Sequence, residues 1–159
     1  MAMDPFSLVR MLDTQDVQHR VGLLLVSPAD IADPSPLLLK FNLANADIAK
    51  QFLLTLPVGA RALGITQTKV LTVFDELAHT RHERVTLLLT NLDLMLARLN
   101  EDDRAGVWTF LRNNVRKRPT SVLIAFPDHA DHLLHPSERD AWEVSGRLAF
   151  APSTAIPSA

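Results

Sequence analysis

Aliphatic residues along this chain gather into short runs bounded by polar and proline-marked stretches, and two different periods run through them. Residues 21–26, Val-Gly-Leu-Leu-Leu-Val, are almost continuously apolar, the pattern of a strand buried on both faces of a parallel sheet. Residues 84–90 hold Val85-Thr86-Leu87-Leu88-Leu89 and predict the clearest strand, residues 121–126 predict another, and residues 146–150 a last one. Residues 37–41, Leu-Leu-Leu-Lys-Phe, also read as a strand, the second in the chain, after a short connection rich in proline. Helical spacing appears first at Phe6, Val9 and Leu12, with Leu8 and Met11 beside them. It returns from Asn42 onward, where Leu43, Ala46, Ala49, Leu53 and Leu56 share one face and Pro57 stops the helix. Gly59 and Gly64 then break the chain around Arg61. A further helix is predicted over residues 66–78, with Val70, Leu71, Phe74 and Leu77 inward. Asp102 and Asp103 open another that runs to about Arg116, since acids favour the positive end of a helix dipole. Alternation of this kind predicts one three-layer α/β domain over residues 1–152 with a mostly parallel sheet, followed by a mobile Pro/Ser/Ala tail over residues 153–159. Residues 1–5 are set aside from that argument as a candidate cloning remnant.

The end of the first strand carries the most information. Val26 is followed by Ser27-Pro28, where a phosphate-binding loop would begin, and then by Ala29-Asp30-Ile31-Ala32-Asp33-Pro34-Ser35-Pro36. A phosphate loop needs glycines so that N–H groups converge on the phosphate oxygens, a Lys for the terminal phosphates and a Ser or Thr for Mg²⁺. Two carboxylates and three prolines without N–H groups stand there instead. The strand ending at Thr90 tells the same story: Leu88-Leu89-Thr90-Asn91-Leu92-Asp93 puts a neutral hydroxyl where a metal-binding Asp would be expected, a poor sole anchor for a hard dication. Thr90, Asn91 and Asp93 form at most the remnant of an acidic site. The plainer reading is an ordinary α/β core in which Asp93 caps the segment leading into Leu94-Met95-Leu96.

The order of these parts resembles BrxF, the small P-loop protein family of type 3 BREX phage-defence systems, over residues 21–152. The matching stretches are Phe41-Asn42-Leu43, then Phe52-Leu53-Leu54-Thr55-Leu56-Pro57 with Arg61 beyond, then Leu88-Leu89-Thr90-Asn91-Leu92-Asp93. Further on, residues 116–127, ending Ala125-Phe126-Pro127, and Gly146-Arg147-Leu148-Ala149-Phe150-Ala151 resemble the family's later strands. The resemblance implies a P-loop NTPase-like core and a place in a defence complex. It departs from the family at the chemistry, where the phosphate loop, its Lys and its helix are missing and Thr90 replaces the metal acid, so the family's ATP-binding role does not carry over.

Composition narrows the alternatives. The sequence holds 47% hydrophobic residues, a net charge of −2 and no cysteine, which excludes disulfides, thiolate metal sites and cysteine nucleophiles and gives no general attraction to nucleic acid. No apolar run approaches the roughly 20 residues of a membrane span. One basic stretch stands out: Arg112, Arg116, Lys117 and Arg118, at a helix end where the dipole favours cations in any case, or else offered to a partner or to phosphate. Asp128, His129, Asp131, His132 and His135 are the densest set of metal-ligand types, but Leu133, Leu134 and Pro136 interrupt them and a solvated loop is the expectation. Ser27, Ser35 or Thr90 with His129 would make a hydrolase only with a strained nucleophile elbow, and no Gly-x-Ser-x-Gly occurs.

The expectation is therefore a cytoplasmic, non-catalytic pseudo-NTPase subunit without cofactor or metal. It would act through contacts with other subunits of a defence complex, a large ATPase among them, with self-association and at most weak nucleic-acid binding. Two alternatives remain: an ATPase subunit completed by a partner, and a nucleic-acid adaptor using residues 112–118.

Overall fold

A strand whose alternate side chains must both be buried needs a layer of helices on each face, and the computed structural model, which describes residues 3–14, 20–55, 64–115 and 118–151, has that arrangement. Five parallel strands lie in the order β2-β3-β4-β1-β5: β1 (Val21–Val26), β2 (Ala44–Asp47), β3 (Thr86–Thr90), β4 (Ser121–Pro127) and β5 (Leu148–Phe150). Leu23, Leu25, Leu87, Leu89, Val122, Ile124 and Phe126 face one core, while Leu24, Val26, Leu88, Leu123 and Ala125 face the other. The first core is closed by α4 (Ile48–Leu54), α5 (Gln67–His79), α6 (Leu92–Leu96), α7 (Glu101–Asn113) and α8 (Pro136–Val144). The second lies under α1 (Pro5–Thr14), α2 (Pro28–Ala32) and α3 (Ser35–Phe41). This is a three-layer core laid out like that of P-loop NTPases. No described helix is long and apolar enough to cross a membrane.

Helix α1 sits unusually close to the sheet. A Cβ added at Gly22 would lie 3.0 Å from Leu8 Cδ1 and 3.1 Å from Leu12 Cδ1, so the missing side chain lets the helix approach β1. The far end of α1 is pinned by hydroxyls: Ser121 Oγ donates to the Leu12 carbonyl at 2.8 Å and Thr86 Oγ1 to Asp13 Oδ1 at 2.5 Å. Of the residues set aside at the start, Met3, Asp4 and Pro5 belong to this layer. Asp4 caps α1 by accepting from the Ser7 N–H at 3.0 Å, and the Met3 N–H donates to the Leu148 carbonyl at 3.0 Å beside β5.

The structure corrects two expectations. Residues 37–41 are not a strand but the body of α3. Pro36 stands in the helix's first turn, Leu37 and Phe41 are buried four apart, and Asn42 ends the helix in the left-handed region at φ 56°. The second strand is Ala44–Asp47 instead, so the helix expected from Asn42 begins only at Ile48, with Asp47 as its N-cap. Its expected end at Leu56 and Pro57, the stretch through Gly59 and Arg61, and the tail over residues 153–159 lie outside the described residues.

Candidate functional site

Because every described strand runs the same way, the strand ends meet on one edge of the sheet. In such sheets ligands bind outside the carboxyl ends where the chain path reverses. Here that point is β1: the chain leaves it to build β2, β3 and β4 on one side and finally crosses it to add β5 on the other.

What fills this edge is carboxylate. Ser27 turns straight into α2, and its Oγ donates to Asp30 Oδ2 at 3.2 Å; Asp30 is only 2% exposed, so a carboxylate occupies the exit of β1. At the end of β2, Asp47 accepts from the Lys50 N–H at 3.0 Å through Oδ1 and from Asn91 Nδ2 at 2.8 Å through Oδ2. Thr90, buried at the end of β3, donates its hydroxyl to the Ala46 carbonyl at 3.3 Å, which stitches β3 to β2. Asn91 takes φ 66°, a left-handed position that Asn tolerates better than most residues. That turn sets Asp93 in the first turn of α6. At the end of β4 the Asp128 N–H donates to the Val26 carbonyl at 3.0 Å, and Asp128 Oδ1 lies 3.5 Å from Nε2 of the exposed His129.

Asp93 is the perturbed acid of the group. Its Oδ1 is buried without a hydrogen bond among the described residues, and its pKa is raised, by burial first and by the nearby Asp47 charge in smaller part, against the lowering effect of the Asp93 and Leu94 N–H groups. With a folded-state pKa above 3.8, the folded protein holds the proton more tightly than the unfolded chain. The resulting stability is complete below that value and is lost as the pH rises through the folded pKa. Asp93→Asn, which stays neutral, is therefore expected to match or exceed the wild type at neutral pH by up to about 1 kcal/mol. The gap should close as the pH falls towards 3.8, and parallel urea titrations across that range check it. A gap that widens in acid would show that ionised Asp93 is stabilising.

The sequence's other candidates are placed as follows. Among the described residues no three His, Cys, Asp or Glu side chains converge as a metal cage. Residues 128–135 form turns after β4, and His135 caps α8, its Nδ1 accepting from the Ser137 N–H at 3.1 Å. The Ser27 and Thr90 hydroxyls are hydrogen-bonded to Asp30 and to the Ala46 carbonyl, and neither is bonded to His129. Arg112 pairs with Glu138 of α8, Nε to Oε2 at 2.6 Å and Nη2 to Oε1 at 3.3 Å. Arg118 pairs with Asp75 of α5 at 3.1 Å. The two therefore face different helices, while Arg116 and Lys117 lie outside the described residues.

Asp47 and Arg147 were not foreseen, and Asp30 was noted for its charge but not for its burial. Asp47 was hidden inside the expected helix from Asn42, although an Asp three residues before a helical N–H is a cap signal. Asp30 becomes informative only once its burial is known. Arg147, 5% exposed, lies against the Trp142 ring at 4.8 Å, donates to the Val21 carbonyl at 3.0 Å and to the Arg112 carbonyl, and has a pKa lowered to about 10 by burial first and by Arg112 second. No protein-family model and no curated protein matches this sequence.

Proposed function

We propose that this chain is a non-catalytic pseudo-NTPase subunit, cytoplasmic and working through protein contacts inside a bacterial phage-defence assembly of BREX type, with a large ATPase among its partners. The observation that carries the reading is the exit of β1. There the buried Asp30 carboxylate, bonded to Ser27, stands where a nucleotide-binding core needs N–H groups and a Lys, and Asp47, Asp93 and Asp128 lie on the same edge. Thr90 supports it further, since its hydroxyl is engaged by the Ala46 carbonyl rather than presented to a metal. The setting rests on the resemblance of the order of parts along residues 21–152 to BrxF, carried by residues 41–43, 52–57 with Arg61, 88–93, 116–127 and 146–151.

Nucleotide binding tests the first half directly. A ligand at 100 times its dissociation constant stabilises a protein by roughly 2.7 kcal/mol, so melting with and without millimolar Mg-ATP is sensitive. The expected result is no magnesium-dependent rise in Tm; a clear rise that EDTA abolishes would show that the edge grips nucleotide after all. Co-expression with the products of neighbouring genes tests the second half, with stable co-purification of a partner ATPase expected.

A further inference from the structure

On the helical layer opposite the large core, α1 and α3 flank an open cleft of about 380 Å³ that the pseudo-NTPase reading does not use. Its apolar part is a pair of rings, Phe6 and Phe41, with centroids 4.8 Å apart; Phe41 is buried, whereas Phe6 is 51% exposed. Two cations border the rings. Lys40 Nζ sits over both rings, 5.6 Å from each centroid, in a cation–π contact, and Arg10 stands on the same helix as Phe6, four residues on, hence on the same face. Asn42, held in the left-handed region just past α3, adds a carboxamide. Neither the Arg10 guanidinium nor the Asn42 amide takes a hydrogen bond or ion pair among the described residues. The one carboxylate, Asp13, accepts the Thr86 hydroxyl at the amino end of β3.

We infer that this cleft binds one unstacked nucleotide: a base stacks on the exposed ring of Phe6, Lys40 turns from the ring face to the phosphate beside Arg10, and the base edge lies within reach of the Asn42 amide. An anion alone has no use for the ring, and an apolar protein segment has no use for Lys40, a residue type depleted in protein interfaces. A planar π-face carrying a negative charge satisfies both parts, as aromatic platforms and cations do for single strands. A duplex hides its base faces, so the nucleotide belongs either to single-stranded nucleic acid or to a free mononucleotide. The site lies on α1 and α3, away from the carboxyl edge, and needs no metal.

Anisotropy of a labelled oligothymidylate, titrated with the full chain at low salt in EDTA, tests this. Saturable binding is expected, weakened roughly tenfold by Phe6→Ala and by Lys40→Gln. Lys50→Gln, on α4 in the opposite layer, should leave it unchanged. Lys40→Gln should also flatten the salt dependence by about 0.7 in the log–log slope, which a merely misfolded variant would not do selectively. Competition by thymidine monophosphate as effective per nucleotide as by unlabelled oligonucleotide identifies a free nucleotide as the ligand; weaker competition identifies a strand. Absence of binding, or binding that both Phe6→Ala and Lys40→Gln leave within about twofold of wild type, overturns the proposal and returns the face to protein docking. Because EDTA is present throughout, the result is independent of whether the carboxyl edge binds Mg-ATP.

Discussion

Trp108→Ala is expected to cost about 3–5 kcal/mol, a large share of the 5–15 kcal/mol that holds a typical domain together. The indole is fully buried in the larger core, edge-on to Phe126 at 5.1 Å and to Trp142 at 6.2 Å, so its removal opens a cavity at the junction of α7, α8 and β4. It also carries a polar tether: Nε1 donates to the Leu133 carbonyl at 2.9 Å and so fixes the turn that follows β4. Trp142 is just as buried, but its Nε1 has no hydrogen-bond partner among the described residues. The pair therefore separates packing from hydrogen bonding. Trp108→Phe leaves a buried carbonyl unsatisfied and should cost about 1–3 kcal/mol more than Trp142→Phe, which removes an N–H that has no partner among the described residues. Guanidinium denaturation of the two variants measures this; equal costs would mean that the Leu133 bond contributes nothing and that packing alone orders the turn.

Arg112→Ala is the second large effect, expected at about 2 kcal/mol. Its two-pronged pairing with Glu138 joins α7 to α8 where the side chains are only 25% and 14% exposed, so truncation strands a nearly buried carboxylate. The backbone of the same residue matters too, because the Arg112 carbonyl accepts from buried Arg147. Replacing both partners, Arg112→Met with Glu138→Leu, should recover much of the loss, since neither charge is then left alone. If the double variant is as unstable as Arg112→Ala, the pairing is not the cause. These residues thus have work inside the fold, and a loss of partner binding on replacing Arg112 has to be read beside its melting curve.

The strands were legible where burial on both faces forces continuous aliphatic sequence, as at β1, β3 and β4, and the helices where one face alone is apolar, as at α5 and α7. Residues 37–41 misled because a short apolar run does not distinguish strand from helix by period alone; the proline at position 36, sitting in the first turn of α3, was the better guide. β2 was missed for the opposite reason. As a four-residue strand at the margin of the sheet it buries little, and Ala-Asn-Ala-Asp carries almost no apolar signal. The same misreading concealed Asp47, and with it the bond that ties Asn91 to the end of β2. Pro136 looked like a stop and is instead the first residue of α8. At the candidate site, the lack of a phosphate loop and the neutral Thr90 were plain in the sequence, whereas the burial of Asp30 and the left-handed turn at Asn91 depend on tertiary contacts.

The two tryptophans have a consequence for how unfolding of this protein is seen. The sequence contains no tyrosine, so intrinsic fluorescence and most of the near-ultraviolet dichroism arise from Trp108 and Trp142, which touch each other on the same side of the sheet. The layer of α1, α2 and α3 contributes only phenylalanine and is optically silent. A single sharp fluorescence transition would report cooperative loss of half the molecule while saying nothing of the other half. A Phe41→Trp reporter in a Trp108→Phe, Trp142→Phe background gives the silent layer its own signal, and coincident curves from the two reporters would establish that both layers melt as one.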